Sequence, residues 1–345
     1  MRILQEEVAL SVVVCHHKGR ELLKRCLDSV YNSKGVTFEV ILVTSDSSLH
    51  HDTWLKEYPA LRVIFAEGGP AYKRNFGVQF AKGKYYAFLD DDVELSLNCL
   101  YHMWMFMEMT PKCGMQFTKI LNMERRNEFD DCGSWLTRTG FLYARSGNHQ
   151  KDRGQYDQPE RCASSKSATC LARPEAFRES GGFDSAYYIL GEETDLSYRM
   201  WLRGWETWYN PRAVSWHAFG TSLKPRPDYY TIERVHFHGC KNYINFLCTN
   251  LSLKQLIPTL PIHLAIWVAS SVGFLCIGEW RRSWQIWRGI GWNLANWQKT
   301  SAKRRLVQST RVVTDKELLP LVMRNVPLSY YLNRFWRYLG TQLHG

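Results

Sequence analysis

The sequence lacks the features that identify several common classes of protein. Its ten cysteines include no C-x-x-C pair, which excludes the ligand spacing of a zinc ribbon. Internal repeats and low-complexity tracts are also absent, so neither a solenoid nor a fibrous protein is indicated. Residues 1–7 hold two glutamates and no apolar run, so they do not have the pattern of a secretory signal. We accordingly expect reduced cysteines and a cytosolic site of action.

Acidic residues are fewer than basic ones, 33 against 44, and the net charge is +11. The excess is concentrated in one region. Residues 279–345 contain twelve Lys/Arg and three Asp/Glu, so this tail carries +9 and the rest of the chain only +2. A basic tail favours an anionic partner, either a nucleic acid or a membrane surface. The total of 345 residues, 45% of them hydrophobic, suits about two globular domains.

The N-terminal part alternates between apolar strands and amphipathic helices. Buried strands are predicted for four short apolar runs, at 10–15, 38–43, 61–65 and 85–89. The spacing of apolar residues predicts helices between them, over 20–31 and 73–81. This alternation is typical of βαβ units, and it predicts an α/β fold with a mostly parallel central sheet. Ligands of such sheets bind at the carboxyl ends of the strands.

Two acidic clusters lie at positions that suit a cation site or a general base. Three consecutive aspartates, at 90–92, directly follow the fourth strand. They repel one another unless a cation lies among them, and Mg²⁺ or Mn²⁺ prefers carboxylate oxygens together with phosphate. A solvated turn or a helix cap is the alternative. Glu192, Glu193 and Asp195 form the second cluster, at the predicted start of a helix, where they either complement the helix dipole or supply a general base.

These motifs together resemble those of the family 2 inverting glycosyltransferases, which have the GT-A fold. Six motifs occur in order over residues 10–220, namely SVVV with CLDSV, YKRNFG with AKG, FLDDDV, GGFD, EETDLSYR with RGW, and Pro211 with His217. The resemblance implies a GT-A (Rossmann-like) nucleotide-sugar-binding domain over residues 1–225. It also implies metal-dependent, inverting transfer of a sugar from a nucleotide-diphosphate donor.

The stretch DRGQYD, at 152–157, is similar to one bacterial branch of that family. This branch builds lipid-linked surface polysaccharides and includes rhamnosyl- and galactofuranosyltransferases. The resemblance therefore implies that the acceptor is a hydroxyl of a lipid-linked saccharide.

The resemblance also implies a role for each matching residue. Asp90 and Asp92 match the D-x-D positions, so Asp92 would bind the metal and Asp90 or Asp91 would contact the ribose. His217 matches a position that ligates the metal in relatives, and a structural histidine is the alternative there. The implied metal set is Asp92, Asp90 and His217, holding Mg²⁺ or Mn²⁺. The segment that lines the nucleotide site in the family corresponds here to Lys73, Arg74 and Asn75.

The sequence departs from the family pattern at two positions. Glu193 stands where the family has an aspartate as catalytic base, which moves the carboxylate outward by one methylene and makes Glu192 a competitor for this role. After the second strand, the family has an aspartate that reads the nucleotide base. That position is Thr44 here, and Asp46 follows two residues later. We count Asp46 among the nucleotide-binding residues and expect either a UDP- or a dTDP-sugar as donor.

Residues 256–278 contain no Asp, Glu, Lys or Arg, and a membrane-spanning helix needs about 20 such residues. Pro258, Pro261 and His263 interrupt this run, and the 14 uninterrupted residues that follow have the length of an interfacial or re-entrant segment. One span would also place the +9 tail outside, against the positive-inside rule. We therefore expect residues 226–345 to form a helical, basic, Trp-rich region that associates peripherally or re-entrantly with the cytoplasmic face of the membrane.

Trp280, Trp284 and Trp287 recur at helical spacing with arginines beside them. This pattern favours a helix that lies in the interface of an anionic membrane, and an aromatic core helix is the alternative. No motif of a nucleic-acid-binding module accompanies the basic residues, so nucleic acid is not an expected partner. The cations expected to meet anionic headgroups are Lys303, Arg304, Arg305 and Arg311.

Three other functions compete with this prediction. A polyprenyl-phosphate glycosyltransferase is the alternative enzyme, which would use the lipid phosphate as acceptor and need no general base. A processive polysaccharide synthase is not indicated, because the Q-x-x-R-W motif and multiple spans are lacking. A protein that binds nucleotide sugars without turnover is disfavoured by the intact acidic clusters.

Overall fold

The computed structural model describes residues 8–146, 150–218 and 232–333. The chain divides into two compact units. The first comprises residues 1–134 and 144–225, and the second comprises residues 135–143 and 226–345. Residues 135–143, which lie inside the predicted domain 1–225, thus belong to the second unit.

The described residues form strands that include those predicted at the four apolar runs of the sequence. In chain order these are β1 (Leu10–His16), β2 (Phe38–Thr44), β3 (Arg62–Phe65), β4 (Tyr85–Asp90), β5 (Val93–Leu95), β6 (Cys113–Asn122), β7 (Phe129–Asp131), β8 (Ser134–Leu136), β9 (Leu142–Ala144), β10 (Glu160–Arg161), β11 (Thr169–Ala172) and β12 (Glu206–His217).

Helices connect the strands in the first unit and make up most of the described part of the second. The first unit contains α1 (Arg20–Tyr31), α2 (Pro70–Val78), α3 (Cys99–Met109), α4 (Pro174–Glu179) and α5 (Glu192–Leu202). The second unit contains α6 (Ile232–Asn250), α7 (Leu253–Cys276), α8 (Trp280–Ala295), α9 (Trp297–Ser309) and α10 (Asp315–Val322).

Ten strands of the first unit form one mixed sheet, in the order β10-β12-β6-β11-β4-β1-β2-β3, with β5 beside β12 and β7 beside β6. The four strands predicted from the sequence pair in parallel as β3-β2-β1-β4. Every residue of β1 is buried, as expected of a strand covered on both faces. β11 then runs antiparallel between β4 and β6, so the sheet is mixed beyond β4. The predicted α/β fold with a C-terminal helical region is confirmed.

A close approach of α2 to the sheet positions two residues of the predicted site. The helix begins at Pro70, three residues before the predicted start, because proline is favoured in the first turn. Gly77 packs so tightly on β1 and β2 that a Cβ atom there would lie 2.4 Å from Val13 Cγ1. This contact sets the height of α2 above the sheet, and with it the positions of Lys73 and Arg74.

Helix α5 begins at Glu192, so the second acidic cluster lies at the start of a helix, as predicted. Gly191, at its N-cap, has φ 86°, a left-handed conformation that glycine adopts without steric cost. The turn at Gly191 therefore places both Glu192 and Glu193 in the first helical turn, where the helix dipole favours negative charge.

In the second unit, α6 packs against α7, α8 and α9. Arg304 of α9 donates from Nη1 to the carbonyl oxygens of Cys248 and Leu251, 2.6 and 2.7 Å away, and thereby satisfies acceptors at the C-terminal end of α6. Arg311 Nη2 forms an ion pair of 2.5 Å with Asp315. Arg304 and Arg311, two of the cations expected to meet headgroups, thus also make contacts within the unit.

Helix α7 runs without interruption over 24 residues, although it contains Pro258 and Pro261. Each proline removes a single i→i−4 hydrogen bond, and the helix continues past both of them. The expected division of this segment into a broken start and a 14-residue helix is therefore wrong. Among the described residues, α7 is the one helix that is long and apolar enough to cross a membrane.

His263 of α7 anchors residues 135–143 to the second unit. Its Nδ1 lies 2.9 Å from the carbonyl oxygen of Thr139, and its Nε2 accepts a hydrogen bond of 2.9 Å from Trp267 Nε1. Since the indole can only donate, Nε2 is unprotonated and Nδ1 carries the hydrogen. The Phe141 ring stacks on the imidazole at 4.1 Å. These contacts explain why this segment belongs with the helices.

The packing of Gly77 gives a stability prediction. We expect Gly77→Ala to lower the free energy of unfolding by about 1–3 kcal/mol, because the added methyl group would overlap Val13 and force α2 away from the sheet. Gly291→Ala in α8 is the matched control. No atom lies within 4 Å of a Cβ there, so it should stabilise its helix by about 0.5–1 kcal/mol. Chemical denaturation measures both. Wild-type stability for Gly77→Ala would contradict the tight packing.

Candidate active site

The three aspartates at the end of β4 lie in three different environments. Asp90 is partly exposed and accepts a hydrogen bond of 2.8 Å from Arg74 Nη2. Asp91 is buried, and its Oδ2 accepts a hydrogen bond of 3.1 Å from the backbone N–H of His17, after β1. Asp92 is also buried, and its Oδ1 lies 3.5 Å from His217 Nε2. The strand end thus directs consecutive carboxylates to separate partners.

Arg74 connects the aspartates to α5. Its side chain is 1% exposed, and a buried guanidinium needs carboxylate partners to offset the cost of losing water. It pairs with Asp90 through Nη2 and with Glu192 Oε1 through Nη1, at 2.8 and 3.0 Å. The Phe183 ring lies 5.2 Å from its Cζ. One cation therefore holds the end of β4 beside the start of α5.

Asp90, Asp92 and His217 form a candidate cation site. Each offers one ligand atom, and these atoms all lie within 4.8 Å of one another. β12 ends at His217, which pairs with Val93 of β5 directly after the aspartates. Two carboxylates and an imidazole are donors that suit Mg²⁺ or Mn²⁺. The structure thus brings together the three residues that the sequence predicted as metal ligands, and their donor atoms fit a divalent cation.

A carboxylate that the sequence did not predict contacts His217 from the other side. Asp130 Oδ2 lies 2.9 Å from His217 Nδ1, and Lys166 Nζ lies 2.5 Å from Asp130 Oδ1. Burial disfavours the imidazolium, but the carboxylates of Asp92 and Asp130 outweigh it and raise the pKa of His217 to about 10. Burial likewise opposes ionisation of Asp130, yet Lys166 and His217 keep its pKa below the usual range.

The two adjacent glutamates differ in their partners. Glu192 is buried and its Oε1 is bound by Arg74. Glu193 is half-buried, and its carboxylate accepts a hydrogen bond from its own backbone N–H but none from another described residue. Burial, followed by the negative charge of Glu192, raises the pKa of Glu193 well above its usual value. Glu193 therefore has the properties of a proton acceptor, and Glu192 those of a partner for Arg74.

Two of the residues predicted to line the nucleotide site make internal hydrogen bonds. Lys73 is buried and donates from Nζ to the carbonyl oxygen of His16 at 2.6 Å and to Ser45 Oγ at 2.9 Å. The amide group of Asn75 exchanges two hydrogen bonds with the backbone of Phe183, in the GGFD turn. Lys73 therefore joins α2 to the ends of β1 and β2, while Asn75 joins it to the turn before α5.

The loop after β2 shows how Thr44 and Asp46 are used. Thr44 is buried, and its Oγ1 lies 2.8 Å from His16 Nδ1 and accepts a hydrogen bond from the backbone N–H of Asp46. Asp46 caps the 3₁₀ turn that follows by accepting from the N–H of Ser48 at 3.0 Å. Burial opposes ionisation of Asp46, but the hydrogen bonds from Ser48 keep its pKa below the usual value. Thr44 is therefore engaged internally, whereas Asp46 stays charged in the loop.

Comparison with known proteins shows what part of the first unit is similar to. Residues 11–165 match the model of the family described as Glycosyl transferase family 2. The chain is 30% identical over 91 residues to the uncharacterized glycosyltransferase YibD of Escherichia coli K12. This match covers 25% of this chain and 26% of YibD. It is 31% identical over 106 residues to the poly(ribitol-phosphate) beta-glucosyltransferase of Bacillus spizizenii. This match covers 28% of this chain and 17% of that protein. The matched part thus spans about a quarter or less of these relatives.

Solved structures share the fold. The structure of GalNAc-T7 with UDP, GalNAc and Mn²⁺ has a TM-score of 0.55 and 18% identity, covering 71% of this chain and 48% of that one. The mannosyltransferase PcManGT from Pyrobaculum calidifontis, in complex with GDP-Man and Mn²⁺, has a TM-score of 0.50 and 14% identity, covering 89% and 86%. At such identities the likeness shows the fold alone, which is the expected GT-A fold.

The family match covers β1, β4 and the aspartates that follow it, and the GT-A likeness extends over most of the chain. Residues 11–165 are therefore similar to a glycosyl transferase family 2 domain, and the described residues have the GT-A fold.

Proposed function

We propose that this chain is an inverting, metal-dependent glycosyltransferase that moves a sugar from a nucleotide-diphosphate donor to an acceptor hydroxyl. The observation that carries the proposal is the pairing pattern around Arg74. This cation binds Asp90 of the candidate metal site and Glu192, while the carboxylate of the neighbouring Glu193 is bound by no side chain of another described residue. A charge-stabilising site and a proton acceptor therefore lie at one edge of the sheet.

The reaction follows from this arrangement as a single displacement. Glu193 accepts the proton of the acceptor hydroxyl. The hydroxyl oxygen forms a bond to the anomeric carbon as the bond from that carbon to the diphosphate oxygen breaks, and the nucleoside diphosphate leaves with the electron pair. Attack from the face opposite the leaving group inverts the configuration. When bound by Asp90, Asp92 and His217, a divalent cation supplies charge neutralisation for the diphosphate.

The proposed donor is a UDP- or dTDP-sugar, and the proposed acceptor is a hydroxyl of a lipid-linked saccharide in the synthesis of a surface polysaccharide. Both GT-A neighbours bind a nucleotide, UDP in one and GDP-Man in the other, together with Mn²⁺. The relative from Bacillus spizizenii glucosylates a poly(ribitol-phosphate), which supports a polymeric acceptor. The DRGQYD stretch supports the more specific rhamnosyl- or galactofuranosyltransferase type.

A membrane surface is the proposed location, and the orientation of α7 supports it. A helix of a soluble protein normally buries its apolar face. On α7 the buried stripe includes Thr259, His263 and Ser270, whereas several large aliphatic side chains are exposed. These exposed residues are Leu253, Ile257, Ile262, Val268, Val272 and Leu275. Such an exposed apolar face is typical of a contact with lipid.

Helix α8 repeats this arrangement. Trp280, Trp284 and Trp287 are about half exposed, while Arg282 and Asn293 lie on its buried face. Tryptophan is favoured at the membrane–water interface, where its ring contacts acyl chains and its N–H contacts water. We therefore propose that the α7–α8 surface lies in the interface at the cytoplasmic face of an anionic membrane, peripherally or as a re-entrant segment, where the lipid-linked acceptor is available.

The base assignment gives a prediction about pH. Because the pKa of Glu193 is raised, its proton-accepting form is lost on acidification at a pH above that of an ordinary carboxyl. Transfer should therefore rise with pH through this pKa. Glu193→Gln should lower kcat at least about 100-fold. Glu192→Gln removes the neighbouring negative charge and should lower the pKa of Glu193. The acid limb, which is the fall of kcat/KM on acidification, should therefore move to lower pH. The measurement is kcat/KM against pH with Mn²⁺ and a panel of UDP- and dTDP-sugars.

The same experiment separates the alternatives. Loss of the acid limb in Glu192→Gln would identify Glu192 as the base instead. Near-normal turnover of Glu193→Gln, with lipid phosphate as the acceptor, would favour a polyprenyl-phosphate glycosyltransferase. Failure of the wild type to turn over any donor would support a binding protein.

The membrane proposal predicts the behaviour of a tryptophan variant. Replacement of Trp280, Trp284 and Trp287 together by glutamine should weaken binding to vesicles of phosphatidylglycerol and phosphatidylcholine at least ~10-fold, equivalent to about 1.4 kcal/mol. Met109→Gln is the matched control, since Met109 is an exposed apolar residue of the first unit. Flotation at low and high salt measures both. A wild-type chain that stays unbound at low salt would contradict the proposal.

A further inference from the structure

The imidazole of His217 is held on both of its nitrogens. Nε2 lies 3.5 Å from Asp92 Oδ1, on the side of the candidate cation site, and Nδ1 lies 2.9 Å from Asp130 Oδ2. A carboxylate can only accept, so Nδ1 carries the hydrogen of this bond. With Nδ1 committed in this way, Nε2 is the nitrogen from which a cation would displace the proton now facing Asp92, and whose lone pair it would then take.

The backbone of β7 explains why Asp130 reaches His217. In the pairing of β7 with β6, Ile120 is opposite Asp131 and Leu121 is opposite Phe129. Asp130 has no opposite residue in this register and is therefore the extra residue of a β-bulge. Bulges redirect side chains and are frequent beside active sites. The direction of the Asp130 side chain is therefore set by the backbone of the sheet.

The second carboxylate oxygen of Asp130 is fixed as well. Lys166, in the loop before β11, donates from Nζ to Asp130 Oδ1 at 2.5 Å. The adjacent Asp131 has a different use, because its Oδ1 accepts from the backbone N–H of Gly133 and from Ser165 Oγ. Asp131 thus stabilises a turn, whereas Asp130 is held between Lys166 and His217 by both of its oxygens.

We infer that Asp130 is a positioning residue for the divalent cation. It fixes the ring orientation and the tautomer of His217, so that Nε2 completes the ligand set begun by Asp90 and Asp92. Lys166 in turn fixes Asp130. A carboxylate that binds the distal nitrogen of a metal-bound histidine typically changes metal affinity by about 10–100-fold. The inference rests on the metal dependence in the proposed function, and it assigns a residue to which the sequence motifs give no role.

The test is a Mn²⁺ titration of the full chain, followed by the electron paramagnetic resonance signal of free Mn²⁺, without and with UDP. Asp130→Ala should raise the Kd for Mn²⁺ about 10–100-fold. In a His217→Ala background, the same change should have no further effect, since Asp130 acts through that ring. Asp157→Asn is the matched control, because its carboxylate pairs with Lys119, and it should leave the Kd unchanged.

Each outcome decides the inference. An unchanged Kd for Asp130→Ala, or an equal loss in the His217→Ala background, would overturn it. Asp130→Asn covers the case in which the alanine variant fails to fold: it should give a Kd between those of wild type and His217→Ala, and a wild-type Kd would again overturn the inference. A wild-type chain that binds no Mn²⁺ even with UDP would instead overturn the metal dependence of the proposed function.

Discussion

The candidate site depends on one buried cation. The guanidinium group of Arg74 is held between Asp90, at the end of β4, and Glu192, at the start of α5. Loss of Arg74 would leave the buried Glu192 carboxylate without its ion-pair partner, and breaking a buried pair in this way costs about 3–5 kcal/mol. The two ion pairs therefore fix the strand end to the helix start. Gly77 places Arg74 at the required height by letting α2 approach β1 closely.

This constraint gives two adjacent glutamates different chemistry. Glu192 forms an ion pair with Arg74. Burial and the negative charge of Glu192 raise the pKa of Glu193. Beyond Asp90, the same edge of the sheet carries Asp92 and His217, whose donor atoms suit a hard cation. In the proposed reaction, the cation site would neutralise the leaving diphosphate and Glu193 would accept the proton of the acceptor hydroxyl.

Part of this site could be predicted from local patterns in the sequence. The apolar run of β4 and the aspartates after it identified the strand end, and the acidic start of α5 identified the candidate bases. The contact of Asp130 with His217 could not be predicted, because it depends on a bulge in β7 and on the pairing of β12 with β6. The assignment of residues 135–143 to the second unit was missed for a similar reason, since it rests on the distant His263.

The most direct test of this account is the pH dependence of transfer by Arg74→Gln. Arg74 lowers the pKa of Glu193 against the opposing effects of burial and Glu192. Removal of its charge should therefore move the acid limb of kcat/KM to higher pH and reduce turnover, in a variant whose circular dichroism shows a folded chain. An unshifted acid limb with normal turnover would contradict the claim that this buried cation couples the cation site to the catalytic base.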